Sequence, residues 1–331
     1  MRNATRIALV PGWIALVTTL VVALIIDTIP LSVQLLPLAV SVLLLGLPHG
    51  AVDHLLPARA TGQPFSVRIA AIVGTVYLFA GGAYAIAWFF APIAAFVVFI
   101  LITWFHWGQG DLHPLYRLVG TTHPESRLAV ARTVLVRGGM PMLVPLLAFP
   151  DQYRLVAGWL VSLFDPDAVT ALEPVFTPET RLLLAVGFGT LVASTLAIGY
   201  LRGDRRVWLV DASETLLLLT FFATVPPILA IGVYFCAWHS LRHVVRYLLL
   251  DERTADALET GRPLAAFARF GRDAAPLTAL SLLIAVAIYV TAPGATNAPE
   301  DLLAVYLVFI AVLTLPHVLF VSWLDWRGYV P

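Results

Sequence analysis

The strongest constraint on the fold is a series of apolar runs separated by short polar segments. Sixty per cent of the residues are hydrophobic and 12% are charged, with a mean hydropathy of +0.89, whereas a soluble chain carries about 25% charged residues. The runs lie at 7–26, 31–48, 69–90, 92–107, 133–149, 181–201, 208–223, 226–250, 275–292 and 302–323. A membrane-spanning helix needs ~20 apolar residues. We therefore expect an all-α, polytopic transmembrane helical bundle, with residues 1–331 forming a single integral membrane domain.

The number of spans is expected to be about eight to ten. The run 208–223 is the least clear of the series because Asp211 and Glu214 interrupt it. If this run is a re-entrant or interfacial helix, eight or nine of the ten runs cross the membrane.

The basic residues indicate an orientation. All twenty are arginines, and they concentrate in alternate loops, which places those loops and both termini on the cytoplasmic side. We expect a multi-pass protein of the cell membrane. A retinal Schiff base needs a lysine amine, so the absence of lysine excludes a retinal-binding photoreceptor. The formal net charge of zero argues against a nucleic-acid partner.

Histidines recur at one depth in four of these runs. His49, His106, His239, His243 and His317 each come 13 to 18 residues after their span begins. All four spans run in the same direction in this orientation, so a rise of about 1.5 Å per residue brings the histidines into one layer. His239 and His243 share one face of a helix because they are four residues apart. Imidazole is costly inside a membrane and is a common ligand of metals. The layer therefore predicts a metal site near the cytoplasmic side.

Polar residues beside this layer are candidates for a supporting role. Asp53 and Asp111 follow a histidine by four or five residues, and either could accept the second ring N–H of a ligand or simply cap a helix. Gln109 could donate to bound oxygen or to the backbone. His54 is ambiguous and could also support the site.

Aromatic residues surround the same layer. Trp104, Phe105, Trp107, Phe235 and Trp238 could line an apolar substrate tunnel, or form an interfacial aromatic belt. The remaining charged and imidazole side chains have simpler expected roles. Arg242 should reach the interface or pair with an acid, and His113 and His123 should be solvated in a polar loop.

Four motifs resemble those of the Brp/Blh family of membrane-embedded beta-carotene dioxygenases. They are PHGAVDH at 48–54, FHWGQGD at 105–111, WHSLRH at 238–243 and TLPH at 314–317, and the resemblance spans roughly residues 40–320. It implies oxidative cleavage of the central double bond of beta-carotene by dioxygen, which gives two molecules of all-trans retinal. It also implies that substrate enters from the lipid bilayer, and it admits a retinal-using opsin as a downstream acceptor.

The resemblance further implies a non-haem Fe(2+) ion. Its ligands would be His49, His106, His239 and His243, with His317 as a supporting residue or an alternate ligand. Many iron oxygenases instead use two histidines and one carboxylate. Direct binding by an aspartate of these motifs would therefore change the ligand set.

Other functions remain open at this point. A membrane diiron hydroxylase or desaturase needs more histidines around two metals than the sequence places near one layer. A haem-binding protein and a transporter with a histidine site are non-enzymatic alternatives, and metal analysis would separate all of these.

Overall fold

The structure is a computed structural model that describes residues 2–115, 127–291 and 299–327. Within these ranges the regular elements are all helical, and no strand occurs. Ten helices of the described chain are long and apolar enough to cross a membrane. The prediction of an all-α, multi-pass protein is therefore confirmed, whereas the side on which each terminus lies stays a prediction. The run 208–223 falls in a 20-residue helix of this group, Arg205–Thr224.

The helices are numbered in chain order. They are α1 (Arg2–Ile25), α2 (Leu31–Leu43, continued by the short segments Gly46–Ala51, Asp53–Leu55 and Leu56–Ala60), α3 (Val67–Phe90), α4 (Pro92–His113), α5 (Arg127–Ala148), α6 (Pro150–Ser162), α7 (Pro178–Arg202), α8 (Arg205–Thr224), α9 (Pro227–Leu248), α10 (Glu252–Glu259), α11 (Pro263–Thr291) and α12 (Pro299–Trp326). A 3₁₀ helix, Asp167–Phe176, precedes α7.

Three long helices change their winding beside residues that the motifs single out. The helix α2 is interrupted after Leu43 and resumes at Gly46, with Pro48 in its first turn, where a missing N–H is tolerated. The helices α3 and α9 widen into π-helical segments at Tyr77–Gly81 and Tyr234–Ser240. Such segments are rare and often occur at functional sites, and the one in α9 contains His239.

One compact unit comprises Met1–Ser41, Thr103–Tyr153 and Pro174–Val245. In this unit α5 packs against α7 and α8, and α1 packs against the π-helical segment of α9. Two glycines allow α4 and α5 to touch through their backbones. A Cβ atom on Gly108 would overlap the backbone of Val134, and one on Gly138 would overlap the carbonyl of Trp104. Small residues of this kind permit close crossing of membrane helices, so α5 fixes the position of α4.

The second compact unit comprises Val42–Ile102, Arg154–Glu173 and Arg246–Pro331. Here α11 packs against Gly46–Ala51, and α12 packs against α11 and the π-helical segment of α3. At the end of α2, Arg59 donates to Asp273 of α11 over 2.6 Å. The single-domain organisation expected for residues 1–331 stays a prediction.

Candidate metal centre

Helices α4 and α9 bring three imidazoles together inside the first unit. The Nε2 atoms of His106 and His239 are 3.2 Å apart. The ring of His243 lies 5.1 Å from that of His106 and 4.8 Å from that of His239, measured between centroids. One nitrogen from each ring lies within 4.8 Å of the other two. His106 and His239 are buried and His243 is half-buried.

A glycine makes this approach of α9 to α4 possible. A Cβ atom on Gly110 would lie 3.1 Å from ring atoms of both His239 and His243, closer than ordinary van der Waals contact. Glycine at this position therefore leaves a recess on α4 that the two imidazoles fill. The recess explains why the motif that carries His106 also carries Gly110 one turn later.

The spacing of the nitrogens fits a shared metal ion. Two nitrogens bound at about 2.1 Å and at right angles to one another are about 3.0 Å apart, close to the 3.2 Å between His106 and His239. The donors are imidazole nitrogens, which suit iron, copper, nickel and zinc better than magnesium or calcium. The sequence prediction that these three residues meet is consistent with this geometry.

The predicted tunnel residues separate into two groups. Trp107 and Phe235 are buried, and their rings lie 5.6 Å and 6.2 Å from that of His239. Tyr234 packs against Trp107 at 4.9 Å and extends this wall. Phe105, by contrast, is 45% exposed. The two sides of α4 therefore carry aromatic rings in different environments, one against the imidazoles and one outward.

Trp104 and Trp238 have other contacts. The indole N–H of Trp104 donates to the carbonyl of Leu135 over 2.9 Å, which joins α4 to α5. Trp238 is fully buried, and its ring lies 3.7 Å from the guanidinium of Arg242. The predicted role as tunnel residues therefore has less support for Trp104 and Trp238 than for Trp107 and Phe235.

Four buried charged side chains of α4, α5, α8 and α9 contact one another in the first unit. Arg242 of α9 donates to Asp111 of α4 over 3.0 Å and to Glu214 of α8 over 2.7 Å. Arg137 of α5 lies 3.2 Å from Glu214 and 3.6 Å from Asp111, and it also donates to Asp211 over 2.7 Å. We call Asp111, Arg137, Glu214 and Arg242 the charge cluster. Two arginines balance two carboxylates within it, which is how charges are tolerated away from water.

Two tryptophans complete the hydrogen bonding of the charge cluster. Trp238 donates to Asp111 over 3.0 Å and Trp13 of α1 donates to Glu214 over 2.8 Å. Asp111 thereby binds Arg242 and the indole of Trp238, and its predicted role as a support for a histidine ligand stays a prediction. A guanidinium forms strong, charge-assisted bonds with a carboxylate. The expected pairing of Arg242 with an acid is confirmed.

Sequence reasoning missed the partners of this cluster. Arg137 and Glu214 each lie within an apolar run, at 133–149 and 208–223. A charge within a membrane span is itself a signal of function or of a buried partner. That signal would have identified both residues, although it could not have paired them.

The second unit contains another pair of imidazoles. The rings of His49 and His317 lie 5.1 Å apart at nearly a right angle. His317 Nδ1 lies 2.7 Å from Asp53 Oδ2, and the Tyr77 hydroxyl donates to the same oxygen over 2.5 Å. The supporting role predicted for Asp53 therefore has a specific histidine partner, and Tyr77 is an addition that no sequence motif indicated.

The remaining candidates have local contacts. His54 is half-buried, its Nδ1 lies 3.1 Å from the carbonyl of Ala51, and its ring contacts Phe65. Gln109 is buried on α4. His113 is half-buried at the end of α4, whereas His123 lies outside the described residues.

Comparisons with known proteins match most of the chain to one family. The family model described as beta-carotene 15,15'-dioxygenase matches residues 40–325. The protein named probable beta-carotene 15,15'-dioxygenase Blh from Halobacterium salinarum is 45% identical over 325 residues, which cover 98% of this chain and 94% of that protein. The probable beta-carotene 15,15'-dioxygenase Brp from the same species is 31% identical over 319 residues, covering 92% and 88% of the two chains.

A bacterial relative is more distant. The beta-carotene 15,15'-dioxygenase from uncultured marine bacterium 66A03 is 24% identical over 291 residues, which cover 86% of this chain and 91% of that protein. No solved structure matches the chain.

Proposed function

Because the chain belongs to the beta-carotene 15,15'-dioxygenase family, we propose that it cleaves the central double bond of beta-carotene with dioxygen. One molecule of each substrate gives two molecules of retinal, so each new aldehyde carries one oxygen atom. The observation that carries the proposal beyond the family match is the cluster of His106, His239 and His243 beside a wall of buried aromatic rings.

We propose that these three imidazoles hold Fe(2+). When bound, the iron would activate dioxygen for attack on the polyene. His49 is proposed as the fourth ligand on the strength of its motif and the family resemblance. The chain's own part is to supply neutral nitrogen donors in a buried position. Imidazole nitrogens are suitable donors for iron, and a donor set without net charge leaves the positive charge of the ion uncompensated.

The aromatic wall is proposed to hold the substrate. Trp107 and Phe235 are both nearly inaccessible to solvent, at 6% and 5% exposure, and they flank His239. Flat apolar rings bind a conjugated hydrocarbon by dispersion and exclude water from the reacting centre. A chain with ten helices suited to the bilayer can take such a substrate directly from lipid. We propose the cell membrane as its location and a retinal-using opsin as an acceptor of the product.

The family match favours this activity over the alternatives of a diiron hydroxylase, a haem-binding protein or a transporter. A cluster of three imidazoles would also suit several of these alternatives. The dioxygenase is favoured because the chain is 45% identical to Blh over 98% of its length. Purified protein should accordingly contain iron without haem absorbance.

The test is expression in a bacterium that accumulates beta-carotene. The cells should lose their orange colour and retinal should appear. Loss of a supporting residue around a metal typically costs about 10–100-fold in activity, so His239→Ala and His243→Ala, which remove ligands, should each lower retinal production by more than about 100-fold. His113→Ala provides a control on the same helix as His106 and should leave production unchanged.

Unchanged colour with folded, iron-loaded wild-type protein would refute the proposed activity. Full activity in His239→Ala would remove that residue from the ligand set.

A further inference from the structure

We infer that Asp53 and Tyr77 are positioning residues that fix the ring of His317 with its Nε2 atom as a metal ligand. The inference rests on the proposed function, because only a metal-dependent reaction would use such a ligand. It assigns a role in metal binding to Tyr77, and it makes His317 a ligand together with His49.

Three helical segments of the second unit converge on Asp53. The carboxylate lies on the short segment that continues α2, His317 lies on α12, and Tyr77 opens the π-helical segment of α3. Asp53 and His317 are 2% and 5% exposed. The bonds to Asp53 Oδ2 are 2.7 Å from His317 Nδ1 and 2.5 Å from the Tyr77 hydroxyl. The Tyr77 hydroxyl therefore holds the carboxylate of Asp53, and this carboxylate fixes the direction of the His317 ring.

This contact determines which nitrogen of His317 can bind a metal. An ionised carboxylate only accepts hydrogen bonds, so Nδ1 carries a proton, and in the neutral ring Nε2 carries the electron pair. Histidines that ligate metals usually donate their other N–H to a carboxylate or a backbone carbonyl in this way. His49 has the matching arrangement, since its Nδ1 contacts the backbone carbonyl of Gly46.

The two imidazoles of this pair therefore expose the same kind of atom. His49 and His317 lie 5.1 Å apart, and with both Nδ1 atoms protonated their Nε2 atoms are both acceptors. Two acceptors cannot bond to each other, whereas a cation can take electron pairs from both. The geometry is thus that of ligands rather than of a histidine–histidine hydrogen bond.

The charge of Asp53 supports the same conclusion. In the described part of the chain, this carboxylate has no arginine partner, and its Oδ1 atom accepts no hydrogen bond. A buried carboxylate without a compensating positive charge is costly. A metal ion on Nε2 of His317 would supply that charge through the ring.

The experiment counts imidazoles on the iron. Full-length protein is purified in detergent and loaded with Fe(2+). Iron content, iron dissociation into a chelator and the number of coordinated imidazoles by pulsed electron paramagnetic resonance of the nitrosyl complex are then measured. His317→Ala should lower the imidazole number by one. Asp53→Asn should keep the ring but release iron about 10–100-fold faster. Tyr77→Phe should act in the same direction and less strongly.

Two substitutions serve as matched controls. Tyr84→Phe removes another tyrosine hydroxyl of α3, one that donates to the carbonyl of Ala95 over 2.7 Å. His113→Ala removes a histidine that has no proposed role. Neither should change iron release or the imidazole number.

The outcomes separate this inference from the proposed function. Wild-type protein that cleaves beta-carotene, with an imidazole number unchanged in His317→Ala, would overturn the inference alone. If His317→Ala does not fold, iron release from Tyr77→Phe tests the inference instead. Lower thermal stability with wild-type iron release in that variant would show a merely structural bond and overturn the inference. Wild-type protein that binds no iron would overturn both.

Discussion

Two buried aspartates in similar sequence settings have different partners. Asp111 follows His106 by five residues and Asp53 follows His49 by four, and the two are 1% and 2% exposed. Asp111 binds an arginine and an indole in the first unit. Asp53 binds an imidazole and a phenol in the second unit. Equivalent motifs thus give one carboxylate to a charge cluster and the other to a histidine.

The difference comes from what neighbouring helices supply. Arg242 and Arg137 approach Asp111 from α9 and α5, and a guanidinium attracts a buried carboxylate more strongly than a neutral ring does. Around Asp53, the described residues that supply hydrogen bonds are Tyr77 and His317. Of the two carboxylates, the one approached by arginines forms ion pairs, and the other contacts a histidine.

Removing the arginine of the first region should have the largest effect on stability. Arg242→Met leaves Asp111 and Glu214 buried with Arg137 alone. Loss of one member of a buried ion pair costs about 3–5 kcal/mol. The fraction of protein that remains monodisperse in detergent after heating should fall accordingly. Arg246→Met is the matched control one turn later, since Arg246 pairs with the partly exposed Asp325 and such pairs contribute about 0–1 kcal/mol.

A double variant tests whether charge balance is the cause. Arg242→Met with Glu214→Gln leaves one arginine opposite one carboxylate, so it should be more stable than Arg242→Met alone. Losses that simply add would show that packing, not charge, determines the stability of the charge cluster.

The same substitution at the two aspartates should damage different properties. Asp111→Asn removes a charged acceptor from Arg242 and should cost about 1.5–3 kcal/mol of stability, with little change in the imidazole number. Asp53→Asn should speed the release of iron while lowering stability less. Thermal unfolding and iron dissociation, measured on both variants, provide the comparison. If both variants changed thermal stability and iron release equally, the two carboxylates would have the same role.

Much of the fold follows from hydropathy alone. The ten apolar runs predicted the ten helices of span length because a bilayer fixes the length of a spanning helix. The four-residue spacing of His239 and His243 placed them together, since that spacing is one helical turn. Their approach to His106 followed from shared depth.

The rest of the site depends on tertiary contacts. The partners of Asp111 and Asp53 lie on other helices, and nothing near either residue in sequence distinguishes them. The π-helical segments were not predicted either, although the one in α9 contains His239. Nor could residue type separate Phe105 from Trp107, which differ in exposure although they are two residues apart on one helix.

The glycines that follow His106 and His49 within their motifs should give the smallest effects. A Cβ atom on Gly110 would lie 3.1 Å from His239 and His243, whereas one on Gly50 would lie an ordinary 3.7 Å from His317 Nδ1. Overpacking costs about 1–3 kcal/mol, and alanine regains about 1 kcal/mol of helix propensity over glycine. Gly110→Ala should therefore lose about 1 kcal/mol on balance and release iron faster. Gly50→Ala should be as stable as wild type or slightly more so, with unchanged iron release. Thermal stability and iron dissociation of the two variants test this directly, and a larger defect in Gly50→Ala would mean that the second region, not the first, is the more tightly packed around its imidazoles.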